Sequence, residues 1–361
     1  MPASGAGGRV DALDGLRTVL VTGVMLHHLE WTIGAAHPRF LAGWLPVDGF
    51  FVLSGYLIAT NLLGELDATG SIAYGRFLWR RICRLYPALL VLLASVGLVS
   101  VLIDGRPFAD TWPTLASAAS YVHNLSYVRG WFEPLLPAAG PLWSLAIEFQ
   151  FYVAVPLVLI GFARLRLPRA WWVIALAGVA VGSAAWRGTG GFGGFPRTYL
   201  FTPMRLDSLM WGVLIALAGR HLARLPVAAV RVAAGAGTAG LVVMYLSLSA
   251  YEDATYRWGI AAAGLASAAV IVHLLGAPAS VAARTLGRRP LAALGRRSYA
   301  AYLWHQLVFL LVRDHTDLPT WATVLAALVV TWVVADASYR FVEVPLLDRR
   351  RAVKRDVLRF A

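Results

Sequence analysis

An arginine and a histidine eleven residues apart in one apolar run are an uncommon pairing, and the stretch Asp14-Gly15-Leu16-Arg17 followed by His27-His28 and Glu30 holds one. At 100° per residue, eleven positions make three turns plus about 20°, so Arg17 and His28 project from one helical face with a rise of about 16 Å. A guanidinium near a membrane surface can hold an anionic group, while a neutral imidazole further in can take a proton from an alcohol near pH 7. The plainer reading is a snorkelling arginine and a histidine satisfied by a neighbouring helix. The doublet leaves open which histidine is the base; the spacing from Arg17 favours His28.

Four further places carry polar groups in apolar surroundings, where each ionisable side chain costs about 2.5–3.5 kcal/mol to insert. In Val47 to Ile58, Gly49 and Gly55 permit close helix approach, and Asp48 and Ser54 add polar groups about two turns apart. Asp48 could orient the His28 imidazole and fix its tautomer; the alternative is a packing motif with a hydrogen-bonded serine. In Arg80 to Pro87, Arg81 and Arg84 are neighbours on one helical face and suit phosphate groups, although ordinary anchoring at a membrane surface gives the same pattern. Pro141 to Tyr152 holds Ser144, Glu148, Gln150 and Tyr152, with Ser144 and Glu148 four apart. A carboxylate there is costly without a purpose, and a structural partnership with Arg17 or Arg205 competes with a catalytic role. The last group is Arg205 with Asp207, paired with each other or with neighbouring helices, then His305 in mid-span as a second-line site residue, and Tyr339 to Pro345 with Glu343.

The elements that must position these residues are membrane helices. The 361-residue chain is 59% hydrophobic and 14% charged, with mean hydropathy +0.66, against about 25% charged for soluble domains. Runs such as 85–103, 228–250, 257–277 and 320–339 reach the length of about 20 apolar residues that a bilayer span needs. Spans are placed near 12–33, 45–64, 85–104, 141–162, 170–187, 199–219, 228–250, 257–277, 298–313 and 320–341, with 112–128 lying in the interface or re-entering. With that threading 24 of the 32 basic residues fall on one side, which the positive-inside bias makes cytoplasmic, together with both termini and the basic tail 346–361. Counting 112–128 as a full span would invert the later asymmetry. The expected architecture is therefore all-α, a polytopic bundle of about ten transmembrane helices in a single domain over 1–361, in the cell membrane, whose first apolar run is an uncleaved helix.

Net charge +13 does not point to nucleic acid, because the basic residues sit in short clusters without interleaved aromatics. Cys83 is the only cysteine, which excludes a disulfide within these residues and a Cys-based structural metal site; inside a basic run its thiol is a minor candidate nucleophile.

The ordered set Leu13-Asp14-Gly15-Leu16-Arg17 with His28, Phe50 to Ile58, Arg81-x-x-Arg84 before Tyr86-Pro87, Ser144 to Tyr152, Tyr302-Leu303-Trp304-His305 and Glu343-Val344-Pro345 resembles the acyltransferase family 3 membrane proteins. The resemblance runs from residue 11 to about 348. Gly49 and Phe149 stand where valine and glutamate are more usual, and neither departure removes a group the chemistry needs. The resemblance implies transfer of an acyl group, typically acetyl from acetyl-CoA or another acyl-CoA, to a hydroxyl of a sugar, an envelope glycan or a glycosylated small molecule. It implies Arg17 and His28 as the Arg-x10-His motif, and Arg81 and Arg84 as the cytoplasmic pair that binds the CoA phosphates. The cost of polar groups in apolar runs adds Glu148 to the catalytic set, and Asp48, Ser54, Tyr152, Arg205 and His305 as supporting residues. No metal or prosthetic group is expected. The partners are the bilayer, the donor, the acceptor and a possible separate extracytoplasmic protein that finishes the transfer. A transporter of an anionic or lipid-linked substrate would use the same intramembrane Arg, His and Glu; the lack of a duplicated half and of paired broken helices stands against it, and a scaffold role leaves the buried charges unexplained.

Overall fold

The structure, a computed structural model, describes residues 10–34, 42–129, 136–190, 197–222, 224–249 and 252–346. Arg9, Arg39, most of the glycine-rich loop and the basic tail beyond 346 lie outside them. Among the described residues all regular structure is helical.

Ten longer helical segments lie at the positions where the sequence predicts spans. They are α1 (Asp11–Ile33), α2 (Leu45–Thr69), α3 (Tyr74–Leu98, extended by a π-helical turn Val99–Ile103), α6 (Leu142–Arg164) and α7 (Arg169–Gly188). A broken entry, α8 (Arg197–Leu200) and the 3-10 turn Thr202–Arg205, leads into α9 (Leu206–Leu222). The remaining passes are α10 (Val227–Ser247), α11 (Ile260–Gly276, preceded by a π turn Thr255–Gly259), α14 (Ser298–His315) and α15 (Thr320–Ser338, continued by a π turn Tyr339–Glu343). Short α12 (Val281–Leu286) and α13 (Arg289–Arg296) lie across one end. Glycines stop the long helices where the sequence marks breaks: Gly70 takes the left-handed conformation (φ 71) and returns its N–H to the Leu66 carbonyl.

Seven of these helices are long and apolar enough to cross a membrane. The three that fall short, α1, α9 and α14, carry Arg17 and His28, Asp207, and His305; α9 is 17 residues long, and α1 and α14 hold several charged and histidine side chains.

The stretch 112–128 is not an eleventh pass. α4 (Phe108–Ala119) enters the bundle from the end opposite α12 and α13, turns at Tyr121 and returns as α5 (His123–Arg129). Its tip meets α3 and α6: the Tyr86 hydroxyl donates to the Ala119 carbonyl at 3.0 Å, and Tyr121 stacks on Phe149 with ring centroids 4.1 Å apart. Buried polar groups satisfy one another along this hairpin. Gln150 Nε2 donates to the Tyr121 carbonyl at 2.9 Å and to Asn124 Oδ1 at 3.0 Å, while Thr202 donates to Gln150 Oε1 at 2.6 Å.

Helices α2 and α9 pack backbone to backbone, because Gly55 faces the Leu209 carbonyl and Gly212 faces Val52 and Tyr56, leaving no room for a Cβ on either side. The cytoplasmic end expected of α1 is held the same way, by Gly15 against Leu286 of α12 and Gly295 of α13 against Asp14. The site helices are thereby fixed relative to one another before any polar contact is counted.

Candidate active site

The expected one-face arrangement on α1 is present. Arg17 and His28 both turn toward α3, α6 and α14, and each joins a separate cluster of polar groups.

At the α12–α13 end, three guanidiniums converge. Arg17 lies within electrostatic range of Arg84, Glu148 and Tyr152, and Arg81 within range of Arg84, Arg17, Glu148 and Tyr152. Arg81 rests over the rings of Phe77 and Tyr152, at 5.3 and 5.4 Å from the centroids. Among the described residues none of the three makes an ion pair, whereas the neighbouring Arg80 approaches Glu65 at 3.7 Å. All three are half-buried. Like charges held together and unpaired are unfavourable by themselves and favour a ligand that brings several anionic oxygens.

Glu148 forms the floor of this cluster. One of its oxygens, Oε1, accepts from both the Ser54 and the Tyr152 hydroxyls, so α2 and α6 jointly fix the carboxylate beside the arginines. Ser144, read in the sequence as the i,i+4 neighbour of Glu148, turns away instead and meets the Tyr302 hydroxyl of α14 at 2.5 Å. Glu343, which the sequence reading quoted without a role, is buried on the π turn after α15, within range of Arg84.

His28 lies deeper. Its Nδ1 is 2.9 Å from the Val24 carbonyl and 3.3 Å from Nε2 of His305, and the rings are 4.8 Å apart. A carbonyl oxygen can only accept, so Nδ1 of His28 carries the proton; likewise Nδ1 of fully buried His305, 2.6 Å from the Tyr302 carbonyl, is protonated and leaves its Nε2 as an acceptor. The His28 N–H is thus shared between Val24 and His305, and the lone pair on His28 Nε2 is left without a partner among the described residues. That is the protonation pattern of a general base. His27 points elsewhere, with its ring against Gly43 and Trp31. His305 is therefore a direct neighbour of the candidate base, not a peripheral one.

Asp48 does not orient His28. It is fully buried and accepts from Arg205 at 3.0 Å and from Ser208 at 2.7 Å, because α2 faces the start of α9 at this level and the 3-10 turn leading into α9 supplies a cation. Of the two pairings expected for Arg205 and Asp207, the structure has the one with neighbouring helices: Asp207 takes Arg187 of α7 at 2.5 Å, with both side chains fully buried. Arg205 is also surrounded by Tyr199, Phe51 and Trp143, with ring centroids at 4.7, 5.6 and 5.8 Å. These two ion pairs tie α2, α7 and α9 together. Arg187 is not among the residues singled out from the sequence; the signal of its role is an ionisable group in the last turn of a helix that is uncharged from Ala170 to Trp186. Among the described residues no group of three His, Cys, Asp or Glu is placed to hold a metal ion.

Comparisons with known proteins place the chain among acyltransferases. The SACOL0978 protein of Staphylococcus aureus strain COL is 30% identical over 366 residues, covering 96% of this chain and 58% of its own length. O-acetyltransferase OatA of Staphylococcus aureus strain NCTC 8325 / PS 47 is 30% identical over 359 residues, covering 93% of this chain and 57% of its own. The chain thus spans somewhat over half the length of these relatives. No solved structure matches it. The model of an acyltransferase domain, Acyl_transf_3, matches residues 10–340, nearly the whole of the bundle that carries the three arginines, Glu148 and the two histidines, and the chain belongs to this family of multi-pass membrane acyltransferases.

Proposed function

We propose that the protein moves an acyl group, acetyl in the simplest case, from an acyl-CoA to a hydroxyl of a sugar, an envelope glycan or a glycosylated metabolite. The observation that carries this reading is the pairing of an unpaired triple-arginine cluster with an imidazole whose Nε2 is bare, on one face of α1 about 16 Å apart. The arginine end is the cytoplasmic one, as the distribution of basic residues favours. Arg81 and Arg84 hold the CoA phosphates there; Arg17 and Glu148 line the way inward, and the thioester arm extends along α1 toward His28.

At the deep end His28 Nε2 takes the proton of the acceptor hydroxyl as its oxygen attacks the thioester carbonyl. The bond from carbonyl carbon to sulfur breaks and CoA leaves as a thiol after protonation. His305 Nε2, hydrogen-bonded to His28 Nδ1–H, stabilises the imidazolium formed in this step. Acetyl as the group transferred is supported by the relative named O-acetyltransferase OatA. In the cell membrane, the acceptor is presented from the side opposite the donor, either to this bundle directly or to a separate extracytoplasmic partner.

The experiment is CoA release. Purified protein in lipid nanodiscs, given radiolabelled acetyl-CoA, releases free CoA and labels a hydroxyl-bearing glycan only when that acceptor is added. Intact thioester after prolonged incubation with a panel of sugar acceptors, combined with movement of an anion across a vesicle membrane, would establish a transporter instead.

A further inference from the structure

On the face of α1 turned away from Arg17 and His28 lies a groove of about 1230 Å³ between α1 and α10 with α11 as its floor. It is larger than the roughly 300–1,000 Å³ of sites for drug-sized ligands. Leu20 and Leu26 of α1, Leu241 and Val242 of α10 and Val270 of α11 make its walls almost wholly apolar. It opens sideways, past a helix of which only Ala234 is buried. In a membrane protein that direction is hydrocarbon, and a dry apolar groove facing hydrocarbon holds chains.

The arginines and the histidine of the groove are gathered at one end. Arg231 at the start of α10 and Arg284 on α12 line it at the same end of the bundle as Arg17, and neither makes an ion pair among the described residues. His273 lines the same lower part, and its Nδ1 is buried without a hydrogen-bond partner. Thr18 and Thr238, by contrast, spend their hydroxyls on the carbonyls of Leu291 and Ala234. Two unpaired cations and an orphaned imidazole nitrogen at the mouth of a long apolar trough match a molecule with one anionic, oxygen-rich head and an apolar body. The donor is not that molecule, because the groove is separated from the arginine cluster by the thickness of α1.

We propose that this groove is a binding site for an anionic phospholipid of the leaflet at the arginine-rich end, its phosphate held by Arg231, Arg284 and His273 and its acyl chains lying between α1 and α10. The lipid braces α1, the helix that carries both halves of the active site. The site stands independently of the acyl-transfer reading.

Native mass spectrometry of the full chain, released from nanodiscs of equal parts phosphatidylglycerol and phosphatidylcholine, tests it. The wild-type protein retains one phosphatidylglycerol in preference to phosphatidylcholine. Arg231→Gln with Arg284→Gln lowers that retention about five-fold for each arginine removed. Gly235 lines the groove and has open space beyond its Cα, so Gly235→Phe fills the trough without disturbing a neighbour and removes both lipids. Equal retention of the two lipids by the wild-type protein, which needs no variant to observe, overturns the proposal. So does unchanged retention in Gly235→Phe, or recovery of a thioester in place of a lipid.

Discussion

His305 Nε2 stands 3.3 Å from Nδ1 of His28 although the two residues are 277 positions apart in the chain. The contact brings the first and second-last long helices together, and with the Val24 carbonyl it leaves Nε2 as the basic nitrogen of His28. His28→Ala removes the base and lowers kcat by about 10²–10⁴-fold. His305→Ala leaves the base and the Val24 carbonyl but removes the second acceptor of its N–H, and lowers kcat on the order of ten-fold. Initial-rate measurements of acyl transfer at saturating donor separate the two.

Arg81 and Arg84 act on the donor and not on the chemistry. Each charge-assisted contact to phosphate contributes about 1.5–3 kcal/mol. Arg81→Ala and Arg84→Ala therefore raise the KM for acyl-CoA by about ten-fold or more with kcat little changed, and the same variants treated with a short thioester lacking the nucleotide show no such loss. A fall in kcat at unchanged KM would place these arginines elsewhere in the reaction.

Asp48 is a structural partner of Arg205, so its removal acts on stability. Breaking a fully buried pair on one side costs about 3–5 kcal/mol, because it strands a charge. Asp48→Ala and Arg205→Ala should each lower the thermal midpoint of the purified protein markedly, and Asp48→Leu combined with Arg205→Met should recover much of the loss. If Asp48→Ala unfolded normally yet lost turnover, the aspartate would have a role at the site after all.

Gly55 and Gly212 set the distance between α2 and α9. Gly55→Leu has no room against the Leu209 carbonyl and forces the helices apart, moving Ser54 away from Glu148. Reduced yield of folded protein is expected for Gly55→Leu, and little change for Gly240→Leu, where nothing stands within 4 Å. Size-exclusion profiles in detergent report both.

Much of this was legible in the sequence, and the limit is a physical one. Hydropathy placed helices at all ten expected positions, seven of them long and apolar enough to cross a membrane, and 112–128 folds as two short helices and not as a further long one, because helix length and apolar runs are local properties. The shared face of Arg17 and His28 was legible for the same reason: helical periodicity needs no partner. Pairings between helices are a different matter. Asp48 and His28 are both polar groups in neighbouring passes, and nothing local says that α9 will deliver Arg205 to Asp48 first. The same holds for Ser144, which bonds Tyr302 158 residues away instead of its own helix neighbour Glu148. Glu148 was visible as an expensive carboxylate, but the two hydroxyls that hold it came from different helices.

The most direct test of the account is single-turnover acyl transfer by His28→Ala, measured beside binding of the labelled donor to the same preparation. The expected result is donor binding equal to that of the wild-type protein with transfer to acceptor reduced by at least about 10²-fold. Undiminished transfer by His28→Ala would contradict the assignment of the base and, with it, the placement of the reaction at the deep end of α1.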